Sequence, residues 1–417
     1  VILVRIILLL IIVLSVLHPI TITQAKDANL KIAFIRDGDV WVLRNEKEQQ
    51  ITDKGKIFAK PKWSQDGKWL LYQMEAPSEF EEKEPQVEIW AYNTETEEKK
   101  KIFYDASSPI WAPNRNEIAF NAHGILNISD LKQFYNIATG VNSFTWLPDG
   151  SGFLLSSAGA LKPDGWSSAE IFTKKVKAPY QDIVLFGGVE HFFTLPREIG
   201  TNEKDQIIAV YANDFTYSPS NKWISFIVSP TASWSMDSNM LCVINKEGNH
   251  FEILDEVILH VGKPKWAPAN DTLAYIAGGG RIVFGFKNKA LKVREMPASG
   301  SFTPPRYADI DFDWVTDNSI VTSRVEEREW SNDFQEHPLP SLYSIKVNTN
   351  KQERISNPPE GYGDYNPQYI EPIKKLVWLR GTSITDQNRV LWKANADGTG
   401  AEEWINNVDA IEIYSES

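Results

Sequence analysis

Asp311 and Asp313 stand two residues apart just before Trp314. A pair of carboxylates is the minimal equipment for acid–base attack on a glycosidic or ester bond. The chain offers little else of that kind. His123, His191, His250, His260 and His337 are scattered, and no two share metal-ligand spacing. Only His337, beside Glu336, lies in a segment that also reads as a binding loop. Gly165-Trp166-Ser167-Ser168-Ala169 comes nearest to a G-x-S-x-G nucleophile elbow, but it lacks the second glycine and falls in an insertion. Cys242, the single cysteine, is embedded in Met240-Leu241-Cys242-Val243-Ile244 and reads as an inert strand residue. Gly278-Gly279-Gly280 precedes no helix signal, so it is no phosphate loop. Asn395 to Gly400 lacks the terminal acid of a calcium loop and is a turn. No cofactor and no metal site is expected.

Charge and composition narrow the partners. The 417 residues carry a formal net charge of −12. A nucleic-acid partner would require a basic face, so it is excluded as an expectation. One thiol cannot form an internal disulfide, and the core must come from packing. Arg5 precedes an apolar run, Ile6 to Leu17, and small residues surround Ala25. That is the pattern of a secretory signal over residues 1–25, with a mature domain over 26–417. The protein is therefore expected to be secreted or associated with the cell envelope. It would meet a membrane only if the signal segment stayed uncleaved.

The elements that must position these residues are strands. Trp63-Ser64-Gln65-Asp66-Gly67 ends one strand and turns, and Trp69-Leu70-Leu71-Tyr72 starts the next. The pattern returns at Trp111, Trp146, Tyr217 and Trp266, and in weaker form at Trp314 and Tyr369. With Tyr414 as a last anchor, the steps are 48, 35, 71, 49, 48, 55 and 45 residues. Strand-rich units of this period are blades of a β-propeller. The expected fold is all-β, with four-stranded blades and eight anchors; the uneven 35- and 71-residue steps leave seven as the alternative.

The ends complete the circle. Lys31 to Phe34 reads as a second strand, so the first blade begins without its innermost member. Ala410 to Ser415 resembles Asp214 to Ser218 and is expected to supply it, which leaves no open edge.

The repeated Trp-Ser/Ala-Pro-x-Asp/Asn-Gly, followed by Leu/Ile-Ala-Phe/Tyr, resembles the TolB-like β-propeller family. The resemblance covers nearly all of residues 26–417 and implies the fold; for function it implies a binding hub in the envelope. That family's α/β domain before the propeller is not expected here, since few residues separate Ala25 from Lys31.

In a blade, the turns joining strands one to two and three to four open on one rim. The connections from two to three, and from blade to blade, open on the other. The first kind are short here, as at Gln65 to Gly67 and Ala396 to Gly398. The second kind hold the insertions: 75–86, 157–168, 229–237, 324–340, 357–366 and 381–388. Long loops on a rigid scaffold carry binding residues. Phe80, Trp166, Trp234, Trp330, Phe334, His337, Tyr362 and Tyr365 are the candidates, because aromatics with charged rims serve protein or glycan recognition. The expected function is non-catalytic binding of a protein or glycan by a monomer. The alternative is a channel-centred hydrolase or lyase using Asp311 and Asp313.

Overall fold

The computed structural model describes residues 30–78, 85–202, 205–259, 261–282, 285–296 and 298–414. Residues 1–25, where a signal is expected, lie outside the described residues, as do Phe80 and Ser415. The chain folds into eight four-stranded antiparallel sheets arranged as a β-propeller. Blade 2 shows the pattern: Ile57–Trp63 innermost, then Trp69–Pro77, Pro85–Asn93 and Lys99–Phe103 outermost. The second strands are apolar on both sides, as in Trp69-Leu70-Leu71-Tyr72, because each sheet is covered on both faces by neighbouring blades.

The 71-residue step holds no additional blade. Blade 4 takes its strands from Ser143–Trp146, Gly152–Ser157, Glu170–Lys175 and Glu190–Thr194. Its excess length goes into the hairpins Leu161–Lys162/Gly165–Trp166 and Glu198–Ile199/Ile207–Ile208. The 35-residue step is a compact blade 3. Eight blades result.

Blade 1 is closed from both ends of the chain. Ala410–Tyr414 pairs with Lys31–Arg36, and Lys31 faces Tyr414 while Phe34 faces Ile411. Apolar packing completes the same seam. Ile32 and Phe34 share a buried cluster with Val377, Leu379 and Leu391 of blade 8.

The anchor aromatics explain the repeat. Trp63 donates its indole N–H to the Glu412 carbonyl at 3.3 Å, and Trp111 donates to Lys62 at 3.0 Å. Trp266 donates to Thr216 at 3.2 Å. Each ring thus ties an innermost strand to that of the preceding blade. The turn that follows is held by side chains: Ser64 donates to Asp66 at 2.7 Å, and its hydroxyl accepts from the Trp69 N–H at 2.9 Å. Gly67 is required there, with φ of 62° and a would-be Cβ only 2.2 Å from the Tyr414 ring.

The asymmetry of the rims holds with one exception. Residues 176–189, between the third and fourth strands of blade 4, form a long loop on the rim of short turns. They expose Val184 and Phe186, the latter by 85%. This stretch was not singled out from the sequence.

Candidate functional site: the channel mouth and its loop rim

The innermost strands alternate, sending every second side chain toward the central channel. In several blades those side chains are ionic and are linked between neighbouring blades. Lys60 pairs with Glu412 at 2.8 Å, Lys263 with Asp214 at 3.2 Å, and Lys265 with Asp313 at 3.2 Å. Asn366 donates to Asp311 at 2.8 Å, and the Tyr369 N–H donates to Asp313 at 2.9 Å. Desolvation by the protein around Lys62 holds its pKa below the ordinary lysine value. Lys263 is among the charges acting on it.

The source of these lysines is a short repeat. Lys60-Pro61-Lys62-Trp63 in blade 2 recurs as Lys263-Pro264-Lys265-Trp266 at blade 6. Four blades of eight separate the two copies, so they face one another across the channel. The alternation before each anchor tryptophan was the signal that could have revealed them.

Where the channel opens on the long-loop rim lies a cavity of about 560 Å³, lined by Lys263, Asp311, Asp313, Arg389 and Asp409 among others. Arg389 begins the third strand of blade 8, and its side chain is buried. It donates to Asn366 Oδ1 at 3.3 Å and to the Asp409 carbonyl at 2.7 Å. Burial lowers its pKa. Asp409, in the single-residue link before the closing strand, has its pKa pushed up to about 6. Burial is the main cause; Asp37 and Asp386 add to it, and Arg389 opposes it. Neither Arg389 nor Asp409 belongs to a sequence motif, so their meeting was not legible before the fold.

Around this mouth the loops of blades 5 to 8 are knitted together. Arg281 of blade 6 holds Asp237 of blade 5 through two 2.6 Å contacts, and the Gly280 N–H donates to the Asp237 carbonyl at 2.7 Å. Phe286 and Arg328 exchange backbone hydrogen bonds of 2.6 and 3.1 Å, joining blade 6 to blade 7. Phe286 stacks on Trp330 at 6.0 Å, and His337 packs against both rings. A small core beneath contains Phe286, Ile310, Val325 and Tyr365, with Ile384 from blade 8 against it.

The candidate residues divide accordingly. His337 and Tyr365 are interior; His337 Nε2 lies 2.7 Å from the Ser331 carbonyl. Trp330 is half-buried in the same packing, and Trp166 is half-buried in the blade 4 hairpin. Phe334 opens the 3-10 turn Phe334–Glu336. Trp234 and Tyr362 remain exposed, joined by Met236, which had no place in the sequence reading. Phe80 lies outside the described residues. Asp311 and Asp313 line the channel cavity.

Several solved structures resemble this chain. A puromycin-hydrolyzing peptidase from Mycobacterium tuberculosis matches with a TM-score of 0.50 and 11% identity, over 84% of this chain and 53% of that one. The dihydro-heme d1 dehydrogenase NirN matches with a TM-score of 0.55 and 13% identity, over 96% and 78%. The likeness is one of fold. TolB from Acinetobacter baumannii also aligns, at 16% identity over 64% and 60%, with a TM-score of 0.38. This chain spans about half the length of the puromycin-hydrolyzing peptidase. No family model matches the sequence, and no curated protein does.

Proposed function

We propose that this propeller is a non-catalytic recognition module that works outside the cytoplasm and binds a polypeptide partner on its long-loop rim. The observation that carries the reading is the continuity of that rim. Loops from blades 5, 6, 7 and 8 are joined by the Asp237–Arg281 pair, the Phe286–Arg328 bridge and the Tyr365 core, and so hold a fixed surface. On it stand Trp234, Met236 and Tyr362, each about half exposed. Aromatic and methionine side chains on a rigid support are the composition of protein-binding patches. The leader-like residues 1–25 support an extracytoplasmic address.

Affinity capture with the wild type, Trp234→Ala and Tyr362→Ala tests the reading. The expected result is an identified polypeptide that binds the purified wild type directly and binds both variants at least tenfold more weakly. Equal binding by all three overturns it, as does binding confined to a glycan array. The rival reading, a hydrolase or lyase centred on Asp311 and Asp313, rests on their place in the channel cavity. It requires turnover of a glycoside or ester that Asp311→Asn or Asp313→Asn abolishes.

A further inference from the structure

The channel mouth holds more than a structural ion network. Three of its lysines are matched to acids within the protein: Lys60 to Glu412, Lys263 to Asp214 and Lys265 to Asp313. Two polar atoms at the same mouth are not matched. Arg389 is only 8% exposed, and among the described residues its Nε has no hydrogen-bond partner; Asp409 Oδ1 is buried and also has none among them. Both residues line the 560 Å³ cavity. They are neighbours, since Arg389 donates to the Asp409 backbone carbonyl at 2.7 Å. An unfilled donor and an unfilled acceptor, both buried, cost free energy unless something enters between them.

The charges left after internal pairing describe that something. Among the described residues, the guanidinium of Arg389 hydrogen-bonds an amide oxygen and a backbone carbonyl and lies 5.9 Å from the Tyr365 ring centre, with Asp386 and Asp409 acting on it without a direct ion pair. Among the described residues, the carboxylate of Asp311 accepts only from an amide and the Phe312 N–H. One cation and two carboxylates with no direct ion pair among the described residues therefore border a space large enough for a small molecule. We propose that the channel mouth binds an amino-carboxylate zwitterion, its carboxylate on Arg389 Nε and its ammonium on Asp409 Oδ1 with Asp311 behind. A simple anion would leave Asp409 unmatched and repelled, and a simple amine would leave Arg389 unmatched. Free amino acids and short peptides share the chemistry. The cavity admits either, and the distance between their charged ends distinguishes them.

Calorimetric titration of the full chain at pH 7.5 with L-alanine, trialanine, acetate and methylammonium tests this. At least one of the two zwitterions is expected to bind ten or more times more tightly than acetate and methylammonium. Preference for alanine assigns the site to free amino acids; preference for trialanine assigns it to peptides. Asp409→Asn, close in size to the wild type, is expected to weaken binding at least tenfold, and Arg389→Lys likewise. If Arg389→Lys does not fold, Asp409→Asn decides alone. Acetate binding as well as the zwitterions, unchanged affinity in Asp409→Asn, or no heat from either zwitterion at millimolar concentration overturns the proposal. None of these outcomes bears on the rim surface at Trp234 and Tyr362.

Discussion

Trp314 donates its indole N–H to the backbone carbonyl of Lys265 at 3.1 Å. The ring belongs to blade 7 and the carbonyl to the innermost strand of blade 6. The same contact at Trp63, Trp111 and Trp266 makes the repeated tryptophan a fastener between blades as well as a strand residue. Trp146 is the exception among these tryptophans, for its indole nitrogen is buried with no hydrogen-bond partner among the described residues.

Trp314→Phe keeps an aromatic ring and removes the bond. Trp314 is 6% exposed, so the carbonyl of Lys265 and the vacated space both count. A loss of about 1–3 kcal/mol is expected from the hydrogen bond and the lost ring atoms together. Denaturant unfolding with an unchanged slope would measure it. Trp146→Phe, which breaks no such bond, should cost less.

A second test concerns Asp309. Its carboxylate is fully buried and accepts from Arg324 Nε at 2.7 Å and Nη2 at 2.9 Å, and from Thr303 and Thr322. Removing one member leaves a buried guanidinium without its counter-charge. Asp309→Ala is expected to destabilise by about 3–5 kcal/mol. Arg324→Met in the same background should restore part of that loss. If the double variant is no better than Asp309→Ala, the stranded charge is not the cause.

Most of the ring was readable in the chain because it is periodic. Anchor aromatics, tight turns and two-residue alternation each follow from local backbone chemistry, and the eight anchors, five Trp and three Tyr, reinforce one another. The closing strand was readable because Ile411 and Ile413 repeat that pattern at the far end. The cavity was not. Arg389, Asp409 and Asp311 come from three different blades, and only the ring's curvature brings them together. Solvent exposure was equally hidden: Tyr365 and Tyr362 look alike in sequence, yet one packs under the loops and the other points out. The loop at 176–189 escaped because nothing local separates a strand connection from an insertion on the opposite rim.

The Asp237–Arg281 pair offers a test of rim continuity. It lies at the surface, so its contribution to global stability is small. Its role is to hold the loops of blades 5 and 6 to each other. Asp237→Ala should leave the melting temperature nearly unchanged. Limited proteolysis should cut within 230–238 or 278–289 faster than in the wild type. Identical digestion patterns would mean that the two loops hold their places independently.

Asp409 gives the molecule a pH signature whose sign follows from its surroundings. The carboxyl titrates near 6 in the folded chain, against 3.8 for the ordinary group. Burial raises it, Asp37 and Asp386 reinforce the effect, and Arg389 opposes it. Between those two values the folded state holds a proton that the unfolded chain has released. Stability due to this group therefore falls as pH rises through that window, and the penalty is complete above about pH 7. Asp409→Asn removes the charge without changing the shape. In the absence of ligand, the variant should melt at a higher temperature than the wild type at pH 8, and the difference should vanish near pH 4. The comparison between the two proteins isolates Asp409 from the other acids, which titrate in both. A difference of the same size at pH 4 and pH 8 would show that the substitution acts through packing rather than charge. It would also remove the electrostatic reason for expecting an ammonium group beside Asp409.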